Sequence, residues 1–184
     1  MKKTLRKSTV LFMALAVFAM IFTGCKKDDS SSSSSSGGSG GGGDVPPSGN
    51  YGTIVVGDQT YNIHYGVWNN DYDDDLQASE VGIILADVAN NNANMYVLVI
   101  PFYDAVPTGT FTYYLGDEPH QGQCGALLQA NNGADDLYCT SGSVTITKTG
   151  TNYKIVSQGT AMATDATTMN FSVNFQGPLT FDQE

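Results

Sequence analysis

Between Met169 and Gln176 the chain alternates strictly. Met169, Phe171, Val173 and Phe175 are apolar, and Asn170, Ser172, Asn174 and Gln176 are polar. A period of two puts the four apolar side chains on one face of an extended strand, whereas a helix would scatter them around its axis. This segment is a half-buried strand, and it needs further strands beside it. The phase continues through Leu179 and Phe181 beyond Gly177-Pro178, where the proline removes a ladder donor and bends the chain. Tyr61, Ile63, Tyr65 and Val67 alternate with Thr60, Asn62, His64 and Gly66, and Phe111, Tyr113 and Leu115 follow the same rule. Val144 and Ile146 lead through Thr149-Gly150-Thr151-Asn152 into Tyr153 and Ile155, a hairpin signature. Val81–Val88 and Met95–Phe102 are apolar at both phases, as expected of central strands or strands covered by another element.

These signals predict eight or nine strands, roughly 51–57, 59–67, 81–89, 94–103, 109–115, 143–149, 152–161, 168–177 and 178–182. Only Gly125–Ala130 reads as a short helix. The expected fold is all-β, a single antiparallel β-barrel or β-sandwich over residues 50–184, with short connections that favour a meander.

What precedes this domain has a different character. Lys2, Lys3, Arg6 and Lys7 make a basic start, and Val10–Phe22 is an apolar run of 13 residues, shorter than the roughly 20 that a helical span needs. Residues 1–24 therefore read as a signal peptide. Phe22-Thr23-Gly24-Cys25 resembles the lipobox of bacterial lipoproteins, with phenylalanine where leucine is usual. The resemblance implies that Cys25 becomes the lipid-modified N-terminus, and a multiply acylated cysteine is a stable anchor. Lys26-Lys27-Asp28-Asp29 looks like the surface-export signal of Bacteroidota lipoproteins. Residues 25–49 continue as a serine run and a glycine-rich tract that cannot bury a core. A flexible linker of about 25 residues has a root-mean-square span of roughly 28 Å, enough to hold a domain clear of a membrane. The runs Pro107–Tyr113 and Ser141–Ile155 are similar to those of small β-domain lipoproteins of Bacteroidota, several of them lipocalin-like barrels. This resemblance implies an outer-membrane, lipid-anchored protein exposed at the cell surface, with no catalytic residues attached to the likeness.

Charge excludes one class of partner. After Cys25 only Lys26, Lys27, Lys148 and Lys154 are basic, against 18 acids, a formal charge of −14 with no arginine. Nucleic-acid binding requires a Lys/Arg footprint, and this chain repels phosphate. Cys124 and Cys139 enclose a loop of about 15 residues, whose closure by a disulfide is worth roughly 3 kcal/mol in the chain-entropy model. In an extracytoplasmic domain such a bridge is expected.

Signals for chemistry are sparse. His64 falls on the polar phase of its strand, and His120 sits in a polar loop near Asp117 and Glu118. The motifs H-E-x-x-H and C-x-x-C are absent. The densest polar cluster is Asn69–Glu80, expected as a loop. Measured against a calcium loop, Asn69, Asp71, Asp73, Asp75 and Glu80 supply oxygens, although Asp74 stands where glycine is required. A bound Ca²⁺ and a solvated acidic turn are both consistent with that pattern. Trp68, the single tryptophan, stands beside Asn69 and Asn70, and with His120 these form a candidate ligand-binding set, since an aromatic face and amides suit a neutral sugar. The expected role is a non-catalytic binding or interaction module for a neutral ligand such as a glycan, or for a protein partner. A small β-barrel enzyme and a purely structural surface protein are the alternatives.

Overall fold

The computed structural model describes residues 49–87, 93–116 and 119–182. The readings for residues 1–48, including Cys25, the export signal and the linker, lie outside them, as do Asp117 and Glu118. The described residues form eleven strands and no helix. These are β1 Gly52–Val56, β2 Gln59–Ile63, β3 Tyr65–Asp73, β4 Ala78–Ala86, β5 Met95–Pro101, β6 Gly109–Tyr113, β7 Gln123–Ala130, β8 Asp135–Thr149, β9 Asn152–Ala163, β10 Thr168–Pro178 and β11 Thr180–Phe181. They make one sheet in the order β11-β3-β4-β5-β7-β6-β8-β9-β10-β1-β2, curled into a half-barrel.

The all-β expectation holds at this level, and three details differ from it. The sheet is mixed rather than antiparallel, because β6 runs parallel to β7 and β11 parallel to β3. The strands number eleven rather than eight or nine. Gly125–Ala130 is the body of strand β7, not a helix. Cys124, Ala126, Leu128 and Ala130 are buried on the core side, and Leu127 between them is buried too. The strand's small residues Gly125 and Ala126 fit between neighbouring strands.

The core lies inside the curl. Ile54, Ile63, Ile83, Leu85, Leu98, Ile146, Ile155 and Phe175 are fully buried there, each stabilising the fold by roughly 1.5–3 kcal/mol through burial. The Met169–Phe175 alternation behaves as the sequence requires, with Phe171, Val173 and Phe175 buried on a strand paired on both sides, with β9 and with β1. The stretch from Tyr61 to Val67 does not keep its phase. Ile63 points into the core, but Tyr65 and Val67 face outward and Gly66 faces inward, where a Cβ would meet Phe175 and Leu179 at 2.8 and 2.9 Å. The slip occurs at His64, where the chain leaves β1 for β4. The His64 N–H donates to Ala86 O at 2.8 Å, and its carbonyl accepts from Gly49 N. His64 is half-buried, and its Nδ1 lies 2.7 Å from Gly49 O. It braces a corner, whereas the alternation of its strand would place it on the polar, solvent-facing phase.

The Cys124–Cys139 bridge is not formed; both are free, buried thiols. The topology supplies the reason. Along its second half β7 pairs with β8, but at Cys124 the neighbour is Tyr113 of β6, which wedges between β7 and β8. Cys139 sits at an irregularity of the β8–β9 ladder, one residue past the last β7–β8 pair at Tyr138. A disulfide needs facing Cβ vectors at close range, and the two cysteines are not cross-strand partners: Cys124 lies beside Tyr113 and Cys139 beside Ala161. The Cys124 thiol turns instead to Thr112 O at 3.6 Å. At the other end of the sheet, buried Asn94 ties two connections together. It donates through N to Asp87 Oδ1 at 2.8 Å and accepts from Asn132 N at 2.9 Å.

Candidate functional site

The Asn69–Glu80 segment, expected as a loop, is a projecting β-hairpin. Asn69–Asp73 continue β3 and pair with Ala78–Gly82 of β4. Its turn is made locally, because Asp73 Oδ1 accepts from Asp75 N at 2.8 Å and from Leu76 N at 3.0 Å, and Gln77 takes a left-handed φ of 52°. Aspartate favours such turns because its short carboxylate reaches the backbone two residues on. The hairpin reaches past the rest of the sheet, since β4 meets β5 only from Glu80 onward.

Alternation divides the expected ligand-binding set. Trp68, Asn70 and Tyr72 share the face that continues the core side, opposite Ile83, Val81 and Ser79. Asn69, Asp71 and Asp73 share the other face, opposite Gly82, Glu80 and Ala78. The Trp68 ring packs on Phe181 with centroids 4.6 Å apart. Tyr72 is 57% exposed, and Phe181 is 43% exposed. A third aromatic is turned outward at the same end. Ser79 O accepts from both Phe102 N (2.7 Å) and Tyr103 N (3.2 Å), which forces Phe102 to a φ of 71° and leaves it 39% exposed. A positive φ is costly for a bulky side chain and recurs at functional sites. Tyr103 turns the other way, onto Phe111. Among the described residues no hydrogen bond or ring contact brings His120 to this end. It is exposed, and its backbone N–H donates to Gln123 Oε1.

The opposite face of the hairpin is acidic. Asp71 and Glu80 are direct cross-strand partners, and among the described residues Glu80 Oε2 is buried without a hydrogen-bond partner. Burial, then the charges of Asp73 and Asp71, push the Glu80 carboxyl up to about 7. Loss of solvation and like charge both disfavour the anion, so near neutrality this carboxyl holds a proton for part of the time. The calcium pattern is not assembled here. Among the described residues no three or more His, Cys, Asp or Glu side chains converge to hold a metal ion. Asp71 Oδ1 is taken by Tyr72 N and Asp73 Oδ1 by the turn, and the Asn69 carboxamide oxygen lies over the space above Gly82.

Sequence reasoning missed a polar chain inside the core. The Tyr96 hydroxyl lies 2.6 Å from that of Tyr113, which also bonds Ser157 Oγ. Burial raises both phenols well above the ordinary tyrosine value. It also pushes the Cys124 thiol up to about 12 and the Cys139 thiol higher, the latter aided by Cys124 itself. Ser157 carried the signal, as a polar residue in the inward phase set by Tyr153 and Ile155. This cluster holds its protons and satisfies itself.

No protein-family model matches the chain, and no curated protein or solved structure matches it.

Proposed function

We propose that this chain is a lipid-anchored, surface-exposed binding module of the outer membrane, and that its contact face is the aromatic row of the projecting hairpin. The observation that carries the reading is the shared face of Trp68, Asn70 and Tyr72, flanked by Phe181. At about 3.4 Å per residue, Trp68 and Tyr72 are roughly 14 Å apart along the strand. Two aromatic faces with a carboxamide between them suit a neutral, ring-shaped ligand such as a glycan, which stacks on the rings and hydrogen-bonds the amide. The anchor at Cys25 and the linker would present that row away from the membrane.

The alternative enzyme reading draws on one feature, the facing carboxyls of Asp71 and Glu80. A raised carboxyl beside an ionised one is an acid–base arrangement. The pair lies on the opposite face of the hairpin from the aromatic row, so a sugar stacked on the row does not reach it. Binding without turnover is therefore the better reading. A glycan array probed with the purified chain tests it. We expect binding that is lost in Trp68→Ala and Tyr72→Ala and kept in Asp71→Asn. Silence across the array would remove the glycan reading, and product formation dependent on Glu80 would replace it with the enzyme.

A further inference from the structure

The hairpin also has an open strand edge, and this leads beyond the neutral-ligand reading. On the side away from β4, among the described residues β3 is paired only at Val67 and Trp68, by the two residues of β11. The phase of the backbone groups beyond that point follows from two bonds. Ser79 O accepts Phe102 N, so Ser79 faces β5, and the next residue, Glu80, faces β3. Its partner Asp71 therefore directs its backbone N–H and carbonyl at β4. Trp68 O accepts Asp182 N from the other side, which gives the same phase independently. Asn70 and Tyr72 thus direct their backbone groups outward. The Tyr72 N–H is taken by Asp71 Oδ1. Among the described residues no strand pairs with the N–H and carbonyl of Asn70 or the carbonyl of Tyr72.

An edge of this kind is a template for another strand. Its side chains state which strand fits. Asp71 and Asp73 flank it on one face, with Glu80 behind and Asp74 and Asp75 in the turn, and Tyr72 is exposed on the other. A second copy laid edge to edge brings the same carboxylates against themselves. The chain has no arginine after Cys25, and its two lysines beyond the linker, Lys148 and Lys154, are on β8 and β9.

We propose that the β3 edge at Asn70–Tyr72 is a docking edge for an extended segment of another protein in which basic and apolar residues alternate. Paired to β3, such a strand sends every second side chain to the Asp71–Asp73 face and the others to Tyr72. Backbone hydrogen bonds supply affinity, and the two-sided pattern supplies selectivity. The edge uses main-chain groups, so a chain silent on glycans would still bind the segment.

The probe is an acetylated, amidated Lys-Val-Lys-Val-Lys-Val-Lys peptide carrying a fluorophore, titrated by anisotropy with the full chain purified in detergent. Saturable binding is expected. An isomer with the four lysines grouped before the three valines should bind at least tenfold more weakly, because it has the charge without the alternation. N-methylation of the valine amides should cost tenfold or more, since it removes the peptide's edge donors while leaving the protein untouched. Asn70→Pro should weaken binding similarly, since proline is tolerated on an edge whose N–H is unbonded, and Asp71→Asn with Asp73→Asn should flatten the salt dependence. Equal binding of the grouped isomer, or indifference to N-methylation, would reduce the effect to non-specific charge and overturn the proposal. Binding only after removal of residues 183–184 would assign the edge to the chain itself and overturn it too.

Discussion

Replacing Glu80 by glutamine should stabilise the protein above neutral pH and leave it unchanged in acid. In the folded chain the Glu80 carboxyl is raised from 4.5 to about 7, by burial first and then by the charges of Asp73 and Asp71. Each pK unit corresponds to about 1.36 kcal/mol, so full ionisation opposes folding by about 3.4 kcal/mol at most. The side chain is only partly buried, and solvent screening reduces this to roughly 1–2 kcal/mol. The folded state binds its proton more tightly than the unfolded state does. Stability assigned to this group is therefore complete below about pH 4.5 and is lost as pH rises through 7. Glutamine keeps the shape, adds N–H donors toward Asp71 and Asp73, and does not titrate. Thermal melts at pH 5, 6, 7 and 8 and constant ionic strength should show the Glu80→Gln advantage growing with pH, to roughly 5 °C at pH 8. An equal gain at pH 5 would show that packing, not ionisation, is responsible. A loss at pH 8 would refute the assignment of an uncompensated carboxyl.

Gly66→Ala should cost roughly 1–3 kcal/mol, read as a lower denaturant midpoint, because the new methyl meets Phe175 and Leu179 at 2.8 and 2.9 Å. Cys124 and Cys139 should resist maleimide in the native state and react fully after unfolding without reductant, since both are buried and the Cys124 thiol is held up at about 12. Mass spectrometry of the alkylated chain distinguishes this from a bridged pair. Calcium at 10 mM, with ionic strength matched, should leave the melting temperature unchanged, because the hairpin carboxylates serve its own turn and strand.

The parts of the fold that were legible in the sequence are those whose strands keep one set of neighbours. β10 pairs with β9 and β1, so the alternation from Met169 to Phe175 converts directly into burial. The hairpin at Thr149–Asn152 is local and was equally readable. The slip at His64 was not readable, because Tyr65 and Val67 are as apolar as Ile63 and only the change of partner strand turns them outward. Asn69–Asp73 looked like a loop because a strand projecting beyond its sheet has no buried face to mark it; polar residues on both sides carry no period. The cysteines were misread because loop length says nothing about strand register, which gives Cys124 and Cys139 different cross-strand partners. At the site, the sequence picked out Trp68, Asn69 and Asn70 as a group. Once the segment is a strand, the same alternation separates Asn69 from the other two and adds Tyr72, which composition alone did not single out.

The central claim is that the Trp68–Tyr72 face of the hairpin takes a ligand, and Trp68 can report on it directly. It is the only tryptophan, and its ring lies against Phe181 on that face. Its emission should be followed while the purified chain is titrated with neutral oligosaccharides of three to four hexose units. The account predicts a saturable change in Trp68 emission that disappears in Tyr72→Ala and persists when Glu80 is replaced by glutamine. A saturable change that survives Tyr72→Ala, or one that requires Glu80, would contradict it.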